Sequence, residues 1–177
     1  MMRFGEYSRE TGETNITMGI ELDGSGKAEL NTGIGFFDHM LNLVARHGLF
    51  DIKAECQGDL EVDAHHTVED AAICLGNAIR IALGDKAGIK RYCTFHVPMD
   101  EALAMVSIDV SGRPYCRFEA EFKGVACGGF DVQLAEEFFR CLAMEANITL
   151  HAKVLYGLND HHMIEALFKA FARALDG

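Results

Sequence analysis

A short pattern, His-His-x-x-Glu, occurs twice in the sequence and constrains its fold and chemistry more than any other feature. The copies are His65-His66-Thr67-Val68-Glu69 and His161-His162-Met163-Ile164-Glu165, separated by an offset of 96 residues. Each copy is followed by an apolar, alanine-rich run of the kind that forms a helix. Two copies with matching glutamates and matching context indicate an internal duplication.

The spacing within each copy indicates metal binding. At the start of a helix, His65 and Glu69 are four residues apart and share a face, whereas the adjacent His65 and His66 point about 100° apart. The two histidines of one copy are therefore expected to bind different metal ions. Imidazole and carboxylate ligands without thiolate favour Mn or Zn. The alternative is that each pair is a set of solvated histidines at a helix start.

Length, composition and charge limit the class of protein. A chain of 177 residues with 49% apolar residues fits one domain, or two fused small halves, with a sizeable core. The net charge of −11 argues against a general nucleic-acid binder but allows a small anionic substrate held by local Arg and Lys. The six cysteines form no Cys-x-x-Cys pattern and are interpreted as reduced thiols. Without a signal-peptide pattern or a long apolar stretch, the protein is expected to be cytoplasmic.

Periodicity predicts the same order of elements in each half. In the first half two strands joined by a turn, a helix, a strand and the His-His-x-x-Glu helix are predicted at residues 6–22, 27–32, 36–47, 49–56 and 65–83. The corresponding elements of the second half are predicted at residues 102–110, 115–122, 134–145, 148–155 and 161–177. We therefore predict one α+β domain over residues 1–177, internally duplicated with pseudo-repeats at approximately 6–88 and 96–177. Each half would be a small, mostly antiparallel sheet with two helices packed on one face.

The repeat also relates the first helices of the two halves. His39 lies near the start of one, and Glu137 takes the corresponding place in the other. Each is therefore a candidate ligand for one of the two metal sites. For Glu137 the alternative is a solvated helix carboxylate. His47, beside Gly48 at the end of the first helix, is either a capping residue or a substrate contact.

Six segments, in order along nearly the whole chain, carry a family resemblance. Among them are Thr32-Gly33-Ile34-Gly35-Phe36-Phe37-Asp38-His39-Met40-Leu41, Pro98-Met99-Asp100-Glu101-Ala102-Leu103 and Asp109-Val110-Ser111-Gly112-Arg113-Pro114. The others are residues 9–14, 58–70 and 161–175, which contain the two His-His-x-x-Glu copies. With these segments the chain resembles the imidazoleglycerol-phosphate dehydratase family of histidine biosynthesis.

The resemblance implies a hydro-lyase that dehydrates imidazoleglycerol phosphate to imidazoleacetol phosphate with two Mn ions per active site. It also implies a large octahedral homo-oligomer with its active sites at subunit contacts. Carried over to this sequence, one ion takes His39, His66, Glu69 and His161, and the other takes His65, Glu137, His162 and Glu165.

Other residues match positions that contact the substrate in this family. Glu13 is the catalytic candidate, an acid or base that also contacts the substrate. Arg91, Arg113 and Lys169 match positions that hold the substrate through its phosphate. His39 and His47 are assigned to the same substrate pocket.

The sequence departs from the family pattern in two ways, and two other functions fit its ligands. Many members have His where Glu137 stands. The family pattern also continues past Gly177 into a Ser-x-Lys-Gly-type segment that helps to hold the phosphate, so weaker substrate binding is expected here. The first alternative is a di-metal phosphoester hydrolase, since paired metals often activate water. The second is a non-catalytic metal-binding cage, recognised by metal-dependent assembly without turnover.

Overall fold

The computed structural model describes residues 2–177, which form two four-stranded sheets, a short hairpin and four helices. The strands are β1 Phe4–Glu10, β2 Thr14–Glu21, β3 Ala28–Asn31, β4 Asp51–Gly58, β5 Tyr92–Met99, β6 Ala102–Asp109, β7 Tyr115–Glu119, β8 Ala126–Cys127, β9 Phe130–Asp131 and β10 Thr149–Tyr156. The helices are α1 Gly35–Gly48, α2 His65–Leu83, α3 Gln133–Glu145 and α4 Asp160–Asp176. The sheet orders β1-β2-β4-β3 and β5-β6-β10-β7 are the same arrangement repeated. This confirms the predicted α+β fold and its duplication.

The third strand of each half, β3 or β7, forms at the predicted residues but pairs with a different strand from the one that the sequence predicted. Residues 6–22 do not form one strand, because a turn at residues 11–13 separates β1 from β2. β2 has antiparallel neighbours, β1 and β4, on both edges, so β3 lies parallel to β4 instead of returning beside β2. The carboxylate of Asp51 stabilises this crossover by accepting a 2.7 Å hydrogen bond from the Ser25 N–H. β7 likewise lies parallel to β10.

The helices pack across the two halves. α1 and α2 cover the inner face of the first sheet, α3 and α4 cover that of the second, and α2 contacts α3 while α1 contacts α4. Fully buried phenylalanine rings join the two halves, with the ring centroids of Phe37 on α1 and Phe138 on α3 5.5 Å apart. Crossed packing brings the start of α1 to α4 and the start of α2 to α3. Residues far apart in sequence therefore meet at the helix ends.

Both histidine pairs lie in the first turn of a capped helix. The Asp63 carboxylate accepts a 2.7 Å hydrogen bond from the N–H of His65 at the start of α2. The Asn159 side chain accepts a 2.9 Å bond from the N–H of His161 at the start of α4. Such caps satisfy backbone N–H groups that have no partner within the helix. The predicted helical placement of both motifs is thus confirmed.

The cysteines and the hydrophobic segments contribute no unusual chemistry. All six cysteines are free thiols, and burial raises the pKa of Cys74 to about 12. Such a thiol stays protonated near neutral pH and is a poor metal ligand. Across residues 2–177, no helix combines the length and the apolar character needed to cross a membrane.

Candidate functional site

His39, Glu165 and His161 form a first group of metal-ligand side chains, called here the α1/α4 cluster. Their ligand atoms all lie within 4.8 Å of one another. The Glu165 Oε2 atom is 3.1 Å from His161 Nε2 and 3.5 Å from His39 Nε2. Two ligand atoms bound at right angles about 2.1 Å from one ion lie about 3 Å apart. The spacing therefore fits a shared divalent ion.

A lysine completes the surroundings of Glu165. The Lys169 Nζ atom is 2.6 Å from Glu165 Oε1, and the two side chains are only 15% and 9% exposed. Burial acts to raise the pKa of Glu165, but the hydrogen bond and charge of Lys169 outweigh it and the pKa is lowered overall. Glu165 is thus ionised, as a metal ligand must be. His47 lies on α1 near this lysine, and burial together with the Lys169 charge lowers the pKa of His47.

His65, Glu69 and Glu137 form the second group, the α2/α3 cluster, with their ligand atoms also within 4.8 Å of one another. The His65 Nε2 atom is 3.8 Å from Glu69 Oε2. An ion pair with Arg140 lowers the pKa of Glu137. Glu137 on α3 lies beside His65 and Glu69 of the other half and is also paired with Arg140, so it is not a freely solvated carboxylate.

Within one chain, the glutamates are divided between the clusters differently from the family-based expectation. That expectation placed Glu69 with His39 and Glu165 with His65. In the structure Glu165 lies with His39 and Glu69 with His65. The physical reason is local, because a histidine and a glutamate four residues apart share one helix face. The first histidine of each pair therefore stays with its own glutamate.

The second histidine of each pair belongs to neither cluster and is bound by a carboxylate instead. The Nδ1 atom of His66 is 2.9 Å from Asp59 Oδ2, and that of His162 is 2.7 Å from Glu101 Oε2. These hydrogen bonds raise the pKa of both histidines. The bond with His162 is the main reason that the pKa of Glu101 falls to about 2. Sequence reasoning singled out neither carboxylate.

The predicted catalytic residue Glu13 lies in the turn between β1 and β2, and this turn is anchored to α2. Asp70, which follows Glu69, accepts a 2.5 Å hydrogen bond from Thr14 Oγ1 and a 2.8 Å bond from Arg9 Nε. The Asp70 side chain is only 9% exposed. Glu13 itself is exposed, and its charge adds to the larger effect of Asp59 in raising the pKa of His66. The helix that carries the first motif thus positions Glu13 at the same end of the fold.

Arg91 and Arg113 lie far from the start of α4, which carries His161 and His162. Arg91 Nε is 2.7 Å and Arg113 Nη2 3.8 Å from the carboxylate of Asp109, the last residue of β6. Glu101, the partner of His162, immediately precedes β6. At about 3.3 Å per residue, the strand between them spans roughly 26 Å. One chain therefore does not bring these arginines to the histidines at the start of its own α4.

A cavity of about 400 Å³ opens beside the α2/α3 cluster. Its walls come from the segments that precede α1, α2 and α3, and include Gly33, His65 and Gly129. Cavities of a few hundred Å³ accommodate small molecules. The helix starts thus enclose a space of suitable size next to metal-ligating side chains.

Comparison with known proteins shows strong similarity over nearly the whole chain. Residues 32–175 match the family model for imidazoleglycerol-phosphate dehydratase. The imidazoleglycerol-phosphate dehydratase of Acetivibrio thermocellus is 61% identical over 176 residues, which cover 99% of this chain and 90% of that protein. That of Clostridium botulinum is 64% identical over 167 residues, covering 94% of this chain and 85% of the relative.

Solved structures agree. The crystal structure of imidazoleglycerol-phosphate dehydratase from Staphylococcus aureus superposes with a TM-score of 0.88 at 40% identity, covering 98% of this chain and 96% of that one. The enzyme from Pyrococcus furiosus, in complex with (S)-C348, gives a TM-score of 0.84 at 38% identity, covering 96% and 91% of the two chains.

Proposed function

This chain belongs to the imidazoleglycerol-phosphate dehydratase family, and we propose that it converts imidazoleglycerol phosphate to imidazoleacetol phosphate using two Mn ions. One observation carries this proposal: a chain with the family's fold gathers two separate His/Glu clusters at its crossed helix ends. The reaction is a dehydration in histidine biosynthesis. We place the enzyme in the cytoplasm, in keeping with its free thiols.

The donor atoms of the two clusters suit Mn. Each cluster offers three nitrogen and oxygen atoms from imidazole and carboxylate groups, a donor set that suits Mn and leaves positions open for further ligands. The α1/α4 cluster would hold one ion and the α2/α3 cluster the other. His66 and His162, outside both clusters, would supply additional ligands.

The reaction must break a bond to hydrogen on a carbon that no carbonyl acidifies, so the imidazole ring of the substrate has to accept the electrons. When bound, the ions act as Lewis acids toward the ring nitrogens. A ring-nitrogen proton and the hydroxyl of the ring-adjacent carbon leave as water, which gives a neutral diazafulvene-like ring. Transfer of a proton from the next carbon to the ring then leaves an enol, which tautomerises to the ketone.

Three kinds of side chain would assist these steps. Glu13 is exposed near His66 and would shuttle the protons. Lys169, beside Glu165, would hold the substrate phosphate together with Arg91 and Arg113. Fixed cations of this kind supply binding energy away from the reacting bonds.

The position of the arginines supports an active site shared between copies of the chain. Arg91 and Arg113 lie roughly 26 Å along β6 from the partner of His162, too far to hold a phosphate whose imidazole is at the same chain's clusters. A second copy would bring its arginines to these clusters, as the octahedral homo-oligomer of the family would allow. In a closed symmetric assembly every copy makes the same contacts, so each active site would receive the arginines of a neighbouring copy in the same way.

Mixed oligomers test this shared site. Arg113→Ala and Glu165→Gln proteins are each expected to be inactive, but co-assembly of the two in equal amounts should restore activity. If a site takes Arg113 from one chain and Glu165 from another, random mixing leaves about a quarter of sites intact. The rate of the co-expressed, doubly tagged oligomer measures this. No activity in the mixture would show that each site is built from one chain.

The reaction itself is tested with metal-stripped protein and imidazoleglycerol phosphate. Imidazoleacetol phosphate should form only after Mn is added. Release of inorganic phosphate from this substrate or from simple phosphate esters would instead indicate a di-metal hydrolase. Uptake of Mn with neither product would indicate the non-catalytic cage.

A further inference from the structure

His66 and His162, the two histidines outside the clusters, are held in the same way by carboxylates. In both, the carboxylate contacts Nδ1, at 2.9 Å for His66 and 2.7 Å for His162. Because an ionised carboxylate only accepts hydrogen bonds, Nδ1 carries the proton of the neutral ring. The lone pair is then on Nε2. The nearest carboxylate atom to His162 Nε2, Asp100 Oδ2, is 3.8 Å away, beyond hydrogen-bond distance.

The two carboxylates come from different places in the duplicated fold. Asp59 directly follows β4, and Gly58 allows this strand end to approach α2, since a Cβ there would lie 2.0 Å from Thr67 Oγ1. Glu101 instead lies in the turn between β5 and β6. The two halves can be aligned so that Thr14, the first residue of β2, matches Ala102, the first residue of β6. In this alignment Glu101 corresponds to Glu13. Because Asp59 orients His66 in the first half, Glu13 is left exposed for other contacts.

We propose that Asp59 and Glu101 are positioning residues that fix the proton of His66 and His162 on Nδ1, so that each ring presents Nε2 as a metal ligand. This inference rests on the proposed two-metal function. In many metal sites a carboxylate orients a metal-binding histidine through the ring nitrogen that does not bind the metal. Mutation of such a carboxylate lowers the metal affinity about 10- to 100-fold.

The two carboxylates differ in how firmly their own orientation is fixed. Glu101 uses Oε2 for His162, while its Oε1 accepts backbone hydrogen bonds from Leu158 at 3.0 Å and Asn159 at 2.7 Å. Asp59 uses Oδ2 for His66, but its Oδ1 is buried without a hydrogen-bond partner among the described residues. Only Glu101 is therefore held at both oxygens.

This difference predicts unequal effects of two chemically matched substitutions. In Glu101→Gln the amide oxygen must face the two backbone N–H groups, so its NH₂ faces His162 Nδ1. Nδ1 must then accept, the proton moves to Nε2, and metal binding there is blocked. In Asp59→Asn the amide can place its oxygen toward His66 and its NH₂ at the unpartnered position. The histidine proton then stays on Nδ1.

The experiment measures Mn affinity by calorimetry on the metal-stripped, assembled protein without substrate. Glu101→Gln should weaken binding of one ion about 100-fold, and Asp59→Asn by less than about 10-fold. Both variants lose one negative charge, so each serves as the charge control for the other. Equal weakening, or no weakening by Glu101→Gln, would overturn the proposal.

A second readout tests the ring protons directly, and its wild-type measurement needs no variant to fold. Long-range ¹H–¹⁵N spectra of histidine-labelled, metal-stripped wild-type protein, recorded about two pH units above the histidine pKa values, should show both rings protonated at Nδ1. The His162 signal should switch to Nε2 in Glu101→Gln. An Nε2 proton in the wild type would contradict the orientation. Absence of Mn binding by the wild type would instead contradict the proposed function.

Discussion

Glutamine in place of Glu165 is expected to remove one of the two metal ions and to lower turnover about a thousandfold. Glu165 Oε2 is the atom shared between His39 and His161, at 3.5 Å and 3.1 Å. An amide binds a divalent cation more weakly than a carboxylate does, so the α1/α4 cluster would lose its ion. A bound ion stabilises the charge of the transition state by several kcal/mol, and this stabilisation is lost with the ion. A loss of about 4 kcal/mol lowers the rate a thousandfold.

The equivalent substitution in the other half provides a matched comparison. Glu69→Gln should also cost one ion, from the α2/α3 cluster. It should destabilise the fold less, because the Glu69 side chain is 34% exposed, whereas Glu165 is 9% exposed and pairs with Lys169. Removing that partner leaves a half-buried ammonium unpaired, at a cost of about 2 kcal/mol.

Metal content and rate decide the outcome for both variants. Metal analysis of purified protein gives ions per chain, and the dehydration assay gives turnover. Glu119→Gln is the control, since this half-buried carboxylate on β7 also pairs with a lysine, Lys153, and should retain both ions. Two ions per chain and near wild-type turnover in Glu165→Gln would remove Glu165 from the metal site.

Alanine in place of Phe168 is expected to lower the free energy of unfolding by about 4 kcal/mol, the typical cost of deleting a buried phenylalanine ring. The Phe168 ring is fully buried, with centroids 5.0 Å from Phe138 and 4.9 Å from Phe139. It joins α4 to α3 at the centre of the helix layer. The cavity would therefore weaken the packing of α3 against α4, which carry members of both clusters.

Urea unfolding of the metal-stripped protein measures this effect, because bound metal would add its own stabilisation. Phe168→Leu should cost less, roughly 1 to 2 kcal/mol, since it fills most of the space. Leu158→Ala, at a residue that is 69% exposed, should stay within about 0.5 kcal/mol. A Phe168→Ala protein as stable as this surface control would show that the ring is not part of a shared core.

The sequence predicted that both histidine pairs lie at helix starts, as the structure has them. The histidine pairs could be placed at helix starts because an apolar, alanine-rich run follows each of them directly in the sequence. Glu137 could be proposed as a ligand because it takes the place near the start of α3 that His39 takes in α1. These inferences depend on periodicity and on the internal repeat, which a single sequence contains.

The remaining features depend on contacts that spacing does not encode. The partner of β3 is decided by which strand edges are already occupied. Glu101 reaches His162 across 61 residues, and only alignment of the strand registers shows that it is the counterpart of Glu13. Arg113 lies within a motif of the family, but a motif does not show whether its side chain contributes to an active site of the same chain or of another copy.

The most direct test of the account is to add Mn back to stripped protein and measure bound metal and dehydration rate on the same samples. Two separate clusters that are both required predict that the rate reaches its maximum only near two ions per chain. A maximal rate at about one ion per chain, or in the stripped protein, would contradict the two-metal site on which the proposed function depends.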